Sequence, residues 1–398
     1  MSVLDPANPK PKIARSANSQ NDISVLLIAI ACAVAVVFTT LFLSLLPFNR
    51  NTVARRDFIV YWATGQQLAH HANPYDPDAL NRLEHDAGFQ GAASYYMRNA
   101  PWALPLALPL GYFSSVTAAL PWSLLILGLL IASVRIVWKV FGNSGSHFEW
   151  LGYCFPPALD CVILGQTSVF LLFGLALFLR LHKSRPFWAG AALWFCTLKP
   201  HLFLPFGLVL LAWIVITRSY RILAGGIGAM AAGSLVTACI DPAAWSQYVH
   251  YMRASGITRE FTANLGDVLR DTIYPAAEWL AFVPAILGCI WAVAYFWPRH
   301  RNWDWLEHGS LLMLVSILVA PFGWIFDQSL AIPAILYAVS RHPSRVLLSV
   351  LAIIYILIEA EIVSPFGLHS AAYLWTAPAW LAWYLFARAS ARRAQIVA

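Results

Sequence analysis

Asp57 stands directly after Arg55 and Arg56, in a stretch that reads as the start of a helix. A carboxylate beside two cations at a helix N-terminus stays ionised and can accept a proton. It can equally be a plain cap, because Asp is among the favoured N-cap residues. Lys199, in Leu198-Lys199-Pro200-His201, is a lone cation after an apolar stretch. It can hold a phosphate as a point charge or snorkel towards a membrane interface. Arg98, Arg253 and Arg259 are further cations for a phosphate, against the plainer reading of solvated loop arginines. Asp327 follows Pro321-Phe322-Gly323-Trp324, and sugar-hydroxyl binding, metal binding and helix capping are all open to it. Tyr61, Asn99, Gln166 and His201 add hydrogen-bonding groups for a substrate. Tyr75 and Trp102 can stack on a sugar ring or sit at a membrane interface.

Other chemistry finds little to rest on. His70 and His71 are adjacent, so on a helix they point apart and make no metal pair. The 6 cysteines include no C-x-x-C pair and lie in or beside apolar segments, which reads as buried, inert thiols. No metal site and no cofactor are indicated.

These residues must be held by membrane helices. Of the 398 residues 60% are hydrophobic and only 11% charged, where a soluble domain carries about 25% charge. The mean hydropathy is +0.64. Soluble, disordered and fibrous classes are excluded on this balance. The net charge of +7 fits cytoplasmic loops rich in Lys and Arg, and no basic stripe with interleaved aromatics points to nucleic acid.

Residues 1–22 read as a polar cytoplasmic tail, and Ile23 to Asn49 as an uncleaved first span, because that run exceeds the core of a signal peptide. Further apolar segments lie near 101–139, 149–166, 167–181, 186–198, 201–217, 221–240, 277–297, 308–326, 328–340, 345–363 and 370–387. Together they predict an all-α integral membrane protein of about twelve crossings, a single membrane domain over 23–388, and a cytoplasmic tail over 389–398. With both ends inside, every inner loop carries at least two cations, as the positive-inside rule asks. The outer face then holds two long polar connections, 50–100 and 241–276, and the first is expected to contain two short surface helices. One starts at Asp57 and runs to about Ala69. The other is capped by Asp76, with Pro77 at its first position and Leu80, Leu83 and Ala87 at helical spacing.

On this topology the unusual polar residues, Glu359 and Glu361 among them, gather at the outer ends of the spans. A transporter holds its ionisable groups near the midplane, so this pattern favours an enzyme acting at the outer leaflet. The rivals are a transporter or flippase of a lipid-linked glycan, and a membrane subunit that only binds lipid.

The order of short motifs supports the same view. Asp57-Phe-Ile-Val-Tyr61, Asn73-Pro-Tyr-Asp-Pro77, Asn99-Ala-Pro-Trp102 with Pro105 and Pro109, Leu164-Gly-Gln166, Leu198-Lys-Pro200 and Ala320-Pro-Phe-Gly-Trp324 follow one another over about residues 20–390. In this the chain resembles glycosyltransferase family 87, of the GT-C superfamily. The resemblance implies a polytopic GT-C bundle in the inner (plasma) membrane with its active site on the extracytoplasmic side. It also implies transfer of a hexose such as mannose from a polyprenyl-phosphate donor to a lipid or glycan acceptor. The family's catalytic aspartate falls on Asp57. Polyprenyl phosphate is a good leaving group, so inverting transfer needs one base for the acceptor proton and cations for the phosphate. Where family members carry histidine near the last motif, this chain has Ile325-Phe326-Asp327.

Overall fold

The computed structural model describes residues 49–91, 95–142, 148–255, 262, 264–341, 343–363 and 371–397, with scattered positions of the first apolar run between 23 and 44. Every regular element among these is helical, either α or 3-10. Helices suit an apolar chain in lipid, because each satisfies its backbone within one segment.

The helices that matter here are α1 (Phe58–Ala69), α2 (Pro77–Asp86), α3 (Ser115–Val140), α4 (Pro156–Leu164), α5 (Ser168–Leu181), α6 (Pro186–Ala192), α7 (Leu204–Thr217) and α8 (Tyr220–Ile240). They are followed by α9 (Ala244–Ala254), α10 (Leu265–Ile273), α11 (Val283–Phe296), α12 (Trp305–Leu318), α13 (Ile332–Arg341), α14 (Arg345–Val363) and α15 (Thr376–Val397).

Four helical stretches among the described residues are long and apolar enough to cross a membrane: Ser115–Val140, Pro200–Thr217, Tyr220–Ile240 and Glu278–Asn302. The other apolar segments fold into shorter pieces. Helix α5 has 14 residues, about 21 Å at about 1.5 Å per residue, against a hydrocarbon core of about 30 Å. The breaks fall where the sequence places Pro or Gly, at Pro156-Pro157, Gly165, Pro200 and Pro321-Phe322-Gly323. Such interruptions are compatible with lipid only where protein surrounds them, and the loops beside these breaks build the polar site.

The first outer connection departs from expectation in one respect. Helix α1 spans the expected residues but is no surface helix, since Phe58 through Gly65 and Leu68 are all buried. Its sequence FIVYWATG offers no polar face. It lies instead on the 3-10 turn Leu108–Tyr112, backbone to backbone: a Cβ added at Gly65 would clash with the Ala107 carbonyl, and one at Gly111 with the Gly65 carbonyl. Trp62 Nε1 and Gln66 Nε2 donate to the Phe113 carbonyl at 2.9 and 3.1 Å and fix the approach. Helix α2 is the amphipathic surface helix that the spacing predicts. Asp76 Oδ1 accepts from Asp78 N and Ala79 N at 3.0 and 3.1 Å, and Pro77 opens the helix.

Small residues bring the long helices together, as is usual in membranes. A Cβ at Gly190 of α6 would strike the Ile222 carbonyl of α8, and one at Gly225 the Phe187 carbonyl. Further along α8, Gly233 faces the Trp102 backbone, and Thr237 Oγ1 donates to the Pro101 carbonyl at 2.7 Å. The 101–106 turn, which carries Asn99 at its entry, is thereby clamped to α8.

Candidate active site

Three breaks in the helical framework deliver one polar cluster. Helix α4 ends at Gly165 with φ +76, a left-handed conformation that glycine adopts at no steric cost. The same glycine lies against Phe58, where a Cβ would meet the Phe58 Cβ at 2.7 Å. Its carbonyl accepts from Trp122 Nε1 at 2.8 Å. Gln166 is thus turned towards the start of α1, and its Nε2 donates to Asp57 Oδ2 at 2.6 Å. Tyr61, one turn along α1, donates its hydroxyl to Gln166 Oε1 at 3.1 Å and lies 3.2 Å from Thr167 Oγ1.

Asp57 does not cap its helix. It has helical φ and ψ, and its side chain takes no backbone N–H of α1. The half-buried carboxylate instead meets Gln166 and the phenol of Tyr95. The neighbouring Arg56 turns away from solvent, donating to Ser123 Oγ at 2.8 Å and the Val162 carbonyl at 3.2 Å.

Lys199 enters from the second break. It sits between the 3-10 turns Phe195–Leu198 and Pro200–Phe203, where a residue before proline leaves the helical region. Its ammonium points inwards rather than snorkelling. Nζ reaches Asp327 Oδ1 at 2.6 Å, Ser168 Oγ at 3.1 Å and Gln166 Oε1 at 3.5 Å, and lies 4.6 Å from the Phe326 ring centroid. The third break supplies Asp327, which is buried. Its Oδ1 is shared by Lys199 and Ser168, and its Oδ2 accepts from Trp324 N at 2.9 Å. That last bond is the capping role; the others make Asp327 the counter-ion of Lys199.

Five residues singled out from the sequence therefore belong to one hydrogen-bonded chain running Asp57, Gln166 with Tyr61, Lys199, Asp327. Others stand at its edge. Asn99 Nδ2 donates to the Leu198 carbonyl at 2.7 Å, next to Lys199. Arg98 and His201 both pack on Phe322, at 5.5 and 5.7 Å. His201 Nε2 is buried with no hydrogen-bond partner among the described residues. Tyr75 is enclosed by Tyr248 and Tyr251 and donates to the Asn99 carbonyl at 2.8 Å, so its ring supports the Asn99 loop and is not open for stacking. Trp102 packs on Trp245 at 5.4 Å, outside the chain of contacts. Arg253 is exposed on α9, and Arg259 lies outside the described residues.

The sequence reading missed Thr167 and Ser168, the hydroxyls directly after Gln166, and Tyr95. It also passed over Asp160, a buried acid in α4 within electrostatic reach of Asp57 and Glu359. Polar residues flanking the break at Gly165 were the available signal. No cluster of three or more metal-ligating side chains occurs among the described residues. The cysteines described, 154, 161, 196, 239 and 289, are free thiols.

A cleft opens beside Asp327 and Trp324, and a smaller apolar one beside Tyr61, Asn99 and Thr167. A half-exposed carboxylate, a half-buried ammonium and two adjoining clefts at the ends of membrane helices can serve group transfer. A family model, described as glycosyltransferase family 87, matches residues 98–321, more than half of the chain. The chain belongs to glycosyltransferase family 87. No curated protein and no solved structure matches it. The matched segment of this membrane glycosyltransferase contains Gln166, Lys199 and His201 and starts at Arg98, so Asp57 and Asp327 stand outside it. Their tie to the family segment is the hydrogen-bonded chain itself.

Proposed function

We propose that this membrane glycosyltransferase transfers a hexose, such as mannose, from a polyprenyl-phosphate donor to a lipid or glycan acceptor on the extracytoplasmic side of the plasma membrane, with inversion. Asp57 takes the proton of the acceptor hydroxyl as that oxygen attacks the anomeric carbon. The bond from that carbon to the phosphate oxygen breaks, and polyprenyl phosphate leaves with its electron pair. The observation that carries this reading is that Asp57 is free of any capping duty, half-buried, and linked through one side chain, Gln166, to Lys199. Asp327 is the less available carboxylate, being buried and already accepting from Lys199, Ser168 and Trp324 N.

Lys199 holds the leaving phosphate. Its longest contact, 3.5 Å to Gln166, is the one a phosphate oxygen replaces most cheaply. Asp327 offsets most of the lysine charge, so the phosphate needs further cations; Arg98 and Arg259 are assigned that part. Tyr61, Asn99, Gln166 and His201 order the substrates around the phosphate.

The test is transfer from a labelled polyprenyl-phosphate sugar to crude membrane lipids by the purified protein. Asp57→Asn keeps the shape and the acceptor of the Gln166 bond but removes the base. Donor binding is expected to persist while transfer falls about 100-fold or more. A well-folded Asn variant with near-normal transfer would remove Asp57 from the mechanism. Movement of intact lipid-linked sugar across vesicles, with no transfer in the wild type, would instead indicate a flippase.

A further inference from the structure

We propose that the end of the bundle assigned by loop charge to the cytoplasm binds the phosphodiester headgroup of an anionic phospholipid. One short pattern recurs there in three helices. It reads Tyr295-Phe-Trp-Pro-Arg299 where α11 runs into the 3-10 turn Trp297–Asn302, Tyr337-Ala-Val-Ser-Arg341 at the end of α13, and Tyr384-Leu-Phe-Ala-Arg388 in α15. A spacing of four sets each arginine one turn beyond its tyrosine on the same face. Each guanidinium lies over its own tyrosine ring, at 4.3, 5.4 and 5.9 Å from the centroid. The three pairs also meet one another. The rings of Tyr337 and Tyr384 are 6.4 Å apart, and Arg388 donates to the Tyr295 hydroxyl, so Arg388 joins the other two pairs.

The charge at this site is held in place but not cancelled. An aromatic face attracts a guanidinium without neutralising it. Glu307 meets Arg388 at 3.6 Å, yet its own side chain is 53% exposed, so solvent screens the pair. The sequence brings no other acid close along these helices: 280–303, 330–358 and 362–398 contain neither Asp nor Glu. Three guanidiniums against one screened carboxylate suit an anion, and the planar fork of arginine matches phosphate oxygens in pairs. The surroundings select a lipid as the source of that phosphate. Val293 and Trp297 beside Arg299, and Leu385 and Phe386 beside Arg388, are exposed. A soluble phosphate leaves these side chains bare, whereas acyl chains cover them while the headgroup meets the arginines. An exposed tryptophan is typical of the headgroup level, and basic pockets between helices on the cytoplasmic side suit acidic headgroups. The site is independent of the glycosyl-transfer reading and lies away from Asp57 and Lys199.

The test is native mass spectrometry of the full-length protein in detergent, titrated with dioleoyl phosphatidylglycerol and, separately, with dioleoyl phosphatidylcholine. The acyl chains are identical, so the difference reports the headgroup. Wild-type protein is expected to prefer phosphatidylglycerol. The double variant Arg299→Gln/Arg341→Gln changes two exposed arginines and spares Arg388, which is tied to Glu307 and Tyr295. It is expected to lose affinity for phosphatidylglycerol about twentyfold, near fivefold for each arginine, with phosphatidylcholine unaffected. Arg185→Gln/Arg218→Gln removes two exposed arginines assigned to the same face but outside the cluster, and is expected to bind like the wild type. Equal affinity of the wild type for the two lipids would overturn the proposal. Equal loss in the two double variants would do the same, because the attraction would then be diffuse surface charge. Stabilisation of the wild type against heat by sn-glycerol 3-phosphate as strong as by phosphatidylglycerol would hand the site to a soluble phosphate and end the lipid assignment.

Discussion

At the scale of single residues, the phosphate role proposed for Lys199 can be tested through its ion pair with Asp327. At 2.6 Å and with side-chain exposures of 14% and 2%, it is sheltered from screening, and removing either partner leaves an uncompensated charge. The two removals have opposite effects on a phosphate. Lys199→Gln withdraws the cation and leaves Asp327 with Ser168 and Trp324 N. Donor affinity is expected to fall by about 2 to 5 kcal/mol. Asp327→Asn frees the ammonium, which keeps Ser168 and Gln166 as acceptors, so donor affinity is expected to hold or rise while thermal stability drops. Titration of both variants with a polyprenyl-phosphate sugar checks this. Equal loss of donor affinity in the two would mean that the pair only holds the fold.

At the scale of elements, the outer loop that carries Asp57 depends on a buried acid. Glu84 on α2 is fully buried and accepts from Tyr95 N at 3.0 Å, and the Tyr95 phenol meets Asp57. Burial pushes the Glu84 carboxyl from 4.5 up to about 8, partly opposed by the Tyr95 bond. With the folded value raised, the native state binds more protons than the unfolded chain between those values. The contribution of Glu84 to stability is therefore greatest below about 4.5 and falls as pH rises towards about 8. Melting curves from pH 5 to 8 are expected to show that slope, and Glu84→Gln, which keeps an acceptor for Tyr95 N, to flatten it. An unchanged slope would discharge Glu84. Neither Glu84 nor Tyr95 was legible in the sequence, because a lone Glu on an amphipathic surface helix reads as solvated. The cap at Asp76, the start of α1 and the break at Gly165 were legible, since each follows from local backbone chemistry. The burial of α1 was only half legible: its apolar run was plain, but the Gly65–Gly111 contact is tertiary. Lys199 and Asp327 were each found as isolated charges, whereas their pairing across 128 positions has no local signal at all.

At the scale of the whole molecule, the polar contacts sort themselves by end. Lys183 meets Asp304 at 3.1 Å and Arg388 meets Glu307 at 3.6 Å, all four from segments assigned to the inner face. Asp57, Gln166, Lys199 and Asp327, all assigned to the outer face, meet one another. Helix α5 runs from Ser168 in the second cluster almost to Lys183 in the first, about 21 Å for its 14 residues, so the clusters lie at opposite ends of it. The sorting uses contacts alone, while the inner and outer assignments came from loop charge, and the two agree on which residues belong together. The orientation of the two ends is an expectation from the positive-inside rule, which puts the lysines and arginines of the inner loops in the cytoplasm. Reporter fusions after Arg56, Pro200 and Glu260 are expected to report extracytoplasmic, and fusions after Arg185 and Arg393 cytoplasmic. A split within either group would break the twelve-crossing topology. A clean inversion of both groups would keep the helix order but put Asp57 on the cytoplasmic side, where an extracytoplasmic polyprenyl-phosphate donor cannot reach it.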